Sequence, residues 1–389
     1  MQPISNPPRG RLSVDEAIAW LDATTVCLGA ETSPVSGASG RTLAEDVRAG
    51  RPVPPVDRAA YDGFAVRADE CLGAGAYNPI AIRKIPVASG EALPAGADAV
   101  VPRDHAEADS GNYITVIEPV APGDNIERQG ATASQDAVLA SCGTRLAARH
   151  IGLLALAGVA EVRVIRQPRV RIFVARPPHS VAWDDGNGPM LRAAIERDGG
   201  VVDCVATIDR NRNAIQKVLD DGTGGCDTGA DIVLVTGGTG AGADDHAPAA
   251  LAAAGELAVH GIALSPGETT ALGRSRSGVP IVLLPGVPAS CLWAYEFFAG
   301  RAIRRLGGRA GALPYRSENR IAARKIVSAI GTTEICPVRC DSGAIVPLPP
   351  FSEIGLAAAA AADGFVVVPE SSEGFPQGTR VSVYLYERD

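Results

Sequence analysis

The sequence predicts a multidomain α/β protein built around a parallel sheet with helices on both faces. Three observations predict it. The chain has 389 residues, more than one ordinary hydrophobic core organises. Between about 168 and 310, short apolar runs alternate with helical patterns at βαβ spacing. On either side, Gly- and Pro-punctuated β-like runs replace that alternation, within a total of 44 Gly and 29 Pro.

Composition narrows the chemistry. Hydrophobic residues are 46% of the chain but aromatics only 4%, so the cores must be made of Val, Leu, Ile and Ala. Net charge is −8 and no basic stripe occurs, which argues against a nucleic-acid partner. The basic cluster Arg301-Ala-Ile-Arg304-Arg305 reads as a helix face near a C-terminus. No apolar run is long enough for a bilayer and the first residues lack a signal pattern, so a cytoplasmic chain without membrane contact is expected. The eight cysteines are scattered without a CxxC. Cys336 and Cys340 have no matching ligand pair, and buried thiols are expected rather than zinc.

In chain order, Ser13 and Glu16 have capping-box spacing ahead of a helical pattern over 12–28. Residues 49–145 form a small β-rich domain of short strands. A helix follows over 146–161, and segments 1–48 and 146–167 together are expected to form a helical linker domain. The sheet domain spans 168–310. Its strands are expected at 170–175, 201–206, 231–236 and 281–284. Its helices are expected from Pro189 to Arg197 and at 211–220, 247–254 and 290–306. Residues 311–389 are β again and fit a small C-terminal barrel, interrupted by one Ala-rich helix at 353–362.

In a parallel sheet the ligand sits at the carboxyl ends of the strands. Three loops fall there. The first is Thr236-Gly-Gly-Thr-Gly-Ala-Gly-Ala-Asp-Asp245, where Gly237, Gly238, Gly240 and Gly242 let backbone amides approach an anion ahead of a helix. Its register is neither a dinucleotide fingerprint nor a P-loop, so an NAD-type oxidoreductase is a poor reading. An ordinary Gly-rich turn remains open. The second is Leu284-Pro-Gly-Val-Pro-Ala-Ser290, where Pro285, Gly286 and Pro288 shape the turn and Ser290 is the expected helix N-cap. The third is Trp183-Asp-Asp-Gly-Asn187-Gly. Here Asp184 and Asp185 have the chemistry to hold Mg²⁺ against a phosphate, or equally to cap a helix. Asp62, in Tyr61-Asp-Gly-Phe, reads by composition as a turn residue.

Several blocks carry a family resemblance. Gly40-Arg-Thr-Leu-Ala-Glu-Asp-Val47, Pro54-Pro-Val-Asp57 and Tyr61-Asp-Gly-Phe-Ala-Val-Arg67 open the series. Ser89-Gly-Glu-Ala-Leu-Pro-Ala-Gly and Gly123-Asp-Asn-Ile-Glu-Arg-Gln-Gly130 follow, then the 237–245 loop, Pro266-Gly, the 284–290 loop and Asp363-Gly-Phe-Val-Val-Val. Ordered this way over nearly the whole chain, they resemble the molybdopterin molybdenumtransferases (MoeA and the E domain of gephyrin). The resemblance implies a homodimer that binds adenylylated molybdopterin with Mg²⁺, releases AMP and places molybdate on the dithiolene. The site would lie between one subunit's sheet domain and its partner's β-rich domain. A molybdoenzyme or another cofactor-biosynthesis protein would be a further partner. By the same resemblance Asp62 is catalytic. Asn187, Gly237, Gly238, Gly240, Gly242, Asp245, Pro285, Gly286, Pro288 and Ser290 hold molybdopterin or its adenylate, and Asp185 and Asp245 hold the metal.

The chain also departs from that family. Arg176-Pro-Pro-His179 replaces the block Ser/Thr-Gly-Asp-Glu, Gly130-Ala-Thr132 replaces Gly-Glu-Asp, and Ser265-Pro-Gly-Glu-Thr269 replaces Lys-Pro-Gly-Lys-Pro. Exchanging two lysines for Ser265 and Glu268 shifts local charge by about three units. An oxyanion then needs another cation, for which Arg176 and Arg274 are candidates. The alternative is a paralogue that binds molybdopterin as a carrier, chaperone or scaffold without catalysis.

Overall fold

The computed structural model describes residues 11–108, 111–177, 185–220 and 229–387. The contacts divide it into two units, one running from Ala30 to Val164, the other holding the residues up to Gly29 and from Ile165 onward. The segments 1–48 and 146–167 therefore fall on both sides of this division. Among the described residues no helix is long and apolar enough to cross a membrane.

The Ala30–Val164 unit is built from short pieces because Gly and Pro keep interrupting it. The strand Gly63–Val66 lies between Pro86–Val87 and Ala99–Pro102, all antiparallel. A second three-stranded sheet joins Ile80–Arg83, Tyr113–Val116 and Ala106–Ala108. Phe64, Val66, Val101, Ile114 and Val116 form the core between them. The expected helix is shorter than its sequence pattern, Ala148–Leu156, with Leu154 fully buried.

In the other unit the first helix is Val14–Thr24. Ser13 Oγ accepts the Glu16 amide at 3.2 Å, and Glu16 accepts the Ser13 amide at 3.0 Å, completing the capping box. The central sheet runs, from one edge, Val201–Asp209, Arg169–Arg176, Ile232–Thr236, Pro280–Leu284, Ala271–Ser275 and Gly255–His260. The first four strands are parallel, as expected. Of the last two, Ala271–Ser275 pairs antiparallel with both its neighbours, and neither strand was foreseen.

Alternation along the parallel strands sorts the core into two faces. Val170, Ile172, Val174, Ile232, Leu234, Val282 and Leu284 pack with Leu191, Ile195 and the residues around Trp293. Phe173, Val233, Val235, Ile281 and Leu283 pack with Ile215, Leu219, Ala250 and Leu251 of the helices Arg212–Asp220 and Ala247–Ala254. The result is three layers, with the sheet buried on both sides, which explains the near-continuous apolar runs of Ile232–Thr236 and Pro280–Leu284.

The helix beginning at Pro288 continues to Leu306 through a π-helical segment, Tyr295–Ala299. That segment places Glu296 in a buried knot of charge. Arg197 reaches Glu296 at 2.8 Å and Asp198 at 2.8 Å, and Arg304 reaches Asp198 at 2.9 Å. Tyr295 donates to Asp198 at 3.0 Å and Tyr315 to Glu296 at 2.8 Å.

The C-terminal region closes as a small barrel. Thr333–Asp341 pairs with Ala344–Pro347, which pairs with Arg316–Ala322, then Arg380–Leu385, then Gly364–Val368, which returns to Thr333–Asp341. The expected single Ala-rich helix is two, Phe351–Ile354 and Leu356–Ala361, because Gly355 breaks it with φ +57°.

Candidate functional site

Register places the strand ends side by side. Arg176 pairs with Asp209, Val174 with Thr236, and Thr236 with Leu284, so their following loops emerge at one edge of the sheet. Backbone approach there is close enough to demand glycine. Gly237 has φ +96°, and a Cβ on it would sit 2.6 Å from the Ala175 carbonyl oxygen. Gly286 packs against Gly237, its own Cβ position only 3.3 Å from the Gly237 Cα.

Asn187 knits these loops together. Its Nδ2 donates to Thr236 Oγ1 at 2.9 Å and to the Gly286 carbonyl at 3.0 Å, while Thr236 Oγ1 donates to the Pro285 carbonyl at 3.0 Å. Both acceptors require a donor, which fixes the amide orientation. The Asn187 side chain is buried, and its Oδ1 has no hydrogen-bond partner among the described residues. Beneath the knot, burial pushes the Cys291 thiol up to about 12, with Sγ 3.6 Å from Thr236 Oγ1.

Two carboxylates face the same end. Asp185 Oδ1 accepts the amides of Asn187 and Gly188 at 3.0 and 3.1 Å, capping the helix Asn187–Arg197, and Arg176 approaches it at 3.8 Å. Asp245 folds back on the Gly-rich loop, its Oδ2 accepting the Gly242 amide at 2.9 Å. That amide is thus committed inside the loop rather than offered to an anion. Among the described residues, no group of three or more His, Cys, Asp or Glu side chains could hold a metal ion. Asp184 and His179 lie outside the described residues, as does Cys226.

The 265–269 loop reaches the same place. Thr269 Oγ1 lies 2.9 Å from Thr239 Oγ1, and His260 Nε2 lies 3.0 Å from the Thr239 carbonyl. Glu268 curls back to accept the Gly267 amide at 3.2 Å.

The structure therefore brings together Asp185, Asn187, Gly237, Gly238, Gly240, Gly242, Asp245, Pro285, Gly286 and Pro288. Three expectations are corrected. Ser290 is not the N-cap; Val287 is, with Pro288 first in the helix, because proline takes the first helical position without losing a useful donor. Arg274 sits at the opposite end of the sheet, opposite Pro280, because its strand is antiparallel, and it pairs with Glu256. The thiols are not uniformly buried: Cys71 and Cys291 are, but Cys27 and Cys142 are exposed.

Sequence reasoning missed Thr236, Thr239, His260 and Arg210. Arg210 directly follows a strand at its carboxyl end, a placement that could have flagged it.

Asp62 belongs to the other unit. It is exposed on the turn before Gly63–Val66, and its Oδ1 accepts the Ser89 amide at 2.7 Å. Ser89 Oγ donates to the Ala60 carbonyl at 3.0 Å. Nearby, the Gln129 amide bonded to Asp57 at 2.7 Å, with Arg128 beside it, holds that carboxyl below its usual range.

Comparison with known proteins gives these arrangements a family. Three models match in order: the MoeA N-terminal region (domains I and II) over residues 12–158, a probable molybdopterin-binding domain over 173–305, and the MoeA C-terminal region (domain IV) over 319–386. Molybdopterin molybdenumtransferase of Staphylococcus aureus (strain MRSA252) is 26% identical, covering 98% of this chain and 97% of its own. Molybdopterin molybdenumtransferase 2 of Mycobacterium tuberculosis (strain CDC 1551 / Oshkosh) is 28% identical, covering 91% and 94%. The solved molybdopterin biosynthesis MoeA protein of Pyrococcus horikoshii superposes with a TM-score of 0.76 at 26% identity, over 97% of this chain and all of that one. Sequence blocks, strand-end loops and whole-chain superposition agree: the chain belongs to the MoeA family.

Proposed function

We propose that this chain acts in molybdenum cofactor biosynthesis as a molybdopterin molybdenumtransferase, inserting molybdate into adenylylated molybdopterin with release of AMP. One observation carries the reading: Asn187 ties the ends of three loops into a single rigid rim at the carboxyl edge of a parallel sheet. Such a rim presents backbone and small side chains to a flat, polar ligand without reorganisation. In this reading Asn187, the glycines 237, 238 and 240, and the 285–288 turn hold the pterin and its phosphate, the Gly242 amide being taken by Asp245. Two relatives bearing that enzyme name over nearly their full length support it.

Mg²⁺ enters the proposal with the phosphate. Asp185 and Asp245 each spend one oxygen on loop amides, and the second oxygen of each would be offered to the cation. Two carboxylates plus ligand oxygens suit Mg²⁺, which keeps several waters and takes few protein donors. When bound, the cation would neutralise charge at the phosphate. Asp62 is assigned the catalytic role, supplied to the site by a partner subunit in a homodimer.

The second reading is a binding paralogue. Glu268 and Ser265 in the loop beside Thr239 favour it, because a carboxylate there repels an oxyanion. Asp62→Asn separates the two. Loss of AMP release with pterin binding retained supports the catalytic assignment. Unchanged AMP release removes Asp62 from the mechanism, and pterin binding without any turnover in the wild type leaves the carrier reading.

A further inference from the structure

We propose that Arg210 is an oxyanion-binding residue of this site, taking a tetrahedral anion between its guanidinium and the Gly-rich loop. The proposal rests on the reading of this sheet edge as the ligand site. Arg210 follows the edge strand Val201–Asp209, and its amide donates to the Arg176 carbonyl at 2.6 Å, which fixes its backbone beside the central strands. Its stem lies across the Gly-rich loop: a Cβ on Gly238 would meet Arg210 Cγ at 3.2 Å and Cδ at 3.5 Å. Gly238 thus makes room for an arginine that no composition argument singled out.

The guanidinium itself is weakly engaged. Nη2 lies 3.9 Å from Asp244 Oδ2, a carboxylate whose side chain is 79% exposed. Nε is buried and has no hydrogen-bond partner among the described residues. Arg304 also leaves Nε without a partner, yet it still reaches Asp198 at 2.9 Å, and other structural arginines are held as closely. Arg166 grips Asp231 with two bonds of 2.7 and 2.8 Å, and Arg301 grips Asp22 with two of 2.6 and 2.7 Å. A guanidinium whose ion pair is a 3.9 Å approach to an exposed carboxylate can turn its two Nη groups to an oxyanion, the two-point geometry that arginine prefers. The surrounding Asp185, Asp244, Asp245 and Glu268 make the site acidic, so an anion bound here depends on each cation present. Arg210 and Arg176 provide positive charge where the 265–269 loop does not.

The bound group is a tetrahedral oxyanion, either molybdate or the phosphate of a nucleotide, and the test separates these sources. Equilibrium dialysis of the full chain is run with sodium molybdate and, separately, with AMP, on wild type, Arg210→Gln, Arg210→Lys and Arg274→Ala. Gln keeps the stem over Gly238, so thermal melting should match the wild type. The proposal predicts at least tenfold weaker binding of one anion in Arg210→Gln, partial recovery in Arg210→Lys and no change in Arg274→Ala. A molybdate-only loss assigns the metal oxyanion, and an AMP-only loss assigns the nucleotide phosphate. Less than tenfold change for both anions overturns the proposal, as does a wild type that binds neither. Molybdopterin binding, followed in parallel by pterin fluorescence, tests the transferase reading by itself. Anion binding that depends on Arg210 in a chain that ignores the pterin would sink that reading alone.

Discussion

Replacing Asn187 by aspartate exchanges one NH₂ for an oxygen inside the buried knot that joins the loops. Nδ2 now donates to Thr236 Oγ1 at 2.9 Å and to the Gly286 carbonyl at 3.0 Å. An ionised Asp at this position donates neither bond and sets a carboxylate oxygen against a carbonyl. Losing two hydrogen bonds costs about 1–3 kcal/mol, and the stranded buried acceptor adds on the order of 1–3 kcal/mol. Asn187→Ala loses the same bonds without introducing charge, so Asp must be the worse substitution at pH 8. A protonated Asp recovers one donor. Its folded pKa is therefore raised above the unfolded value, and stability falls as pH rises past the unfolded value near 4. Urea denaturation of wild type, Asn187→Ala and Asn187→Asp at pH 5 and pH 8 measures this. The reasoning is refuted if Asn187→Asp matches the wild type at pH 8, or if Asn187→Ala is the less stable of the two variants there.

Further outcomes follow from the same geometry. Gly237→Ala forces an L-residue to φ +96° with its Cβ 2.6 Å from the Ala175 carbonyl. A loss of at least about 1–2 kcal/mol is expected in urea, with pterin binding impaired beyond the change in stability. Asp198→Ala removes a fully buried carboxylate from Arg197, Tyr295 and Arg304 and should cost about 3–5 kcal/mol, again read by urea denaturation. With iodoacetamide at pH 8, mass spectrometry should find Cys27 and Cys142 labelled while Cys291, its thiol pushed up to about 12 by burial, stays unmodified. Asp22 is held below its ordinary value by Arg301 and, more weakly, by Arg305. Its stabilisation is present above the unfolded carboxylate range and is lost as pH falls through the lower folded value. Asp22→Asn should therefore flatten the acid side of the melting-temperature profile below about pH 4.

Much of the architecture was legible because its signals are local. Ser13 and Glu16 announced a capped helix, and apolar runs such as 232–236 and 280–284 announced strands buried on both faces. The Gly-rich loop was legible from its position after a strand, whereas Asn187 entered only through the family resemblance. The strands Gly255–His260 and Ala271–Ser275 were not legible, since each contains a glycine, Gly255 and Gly273, a residue that ordinarily weakens a strand. They are glycine because a Cβ on either would lie 2.2 or 2.1 Å from a carbonyl of the neighbouring strand. Pro337 hid the strand Thr333–Asp341 in the same way. Arg274 was misplaced as a consequence, since its position depends on the strand being antiparallel. The place of Arg210 just after a strand is legible in the sequence, but the approach of its stem to Gly238 is tertiary and is not.

The central claim is tested most directly by molybdate-dependent AMP release. Purified protein is incubated with adenylylated molybdopterin, Mg²⁺ and molybdate beside an active family member, and AMP is followed with time. Release that requires molybdate and approaches the rate of the active relative is the predicted result. Adenylylated molybdopterin that stays bound and intact, with no AMP released, contradicts the transferase assignment.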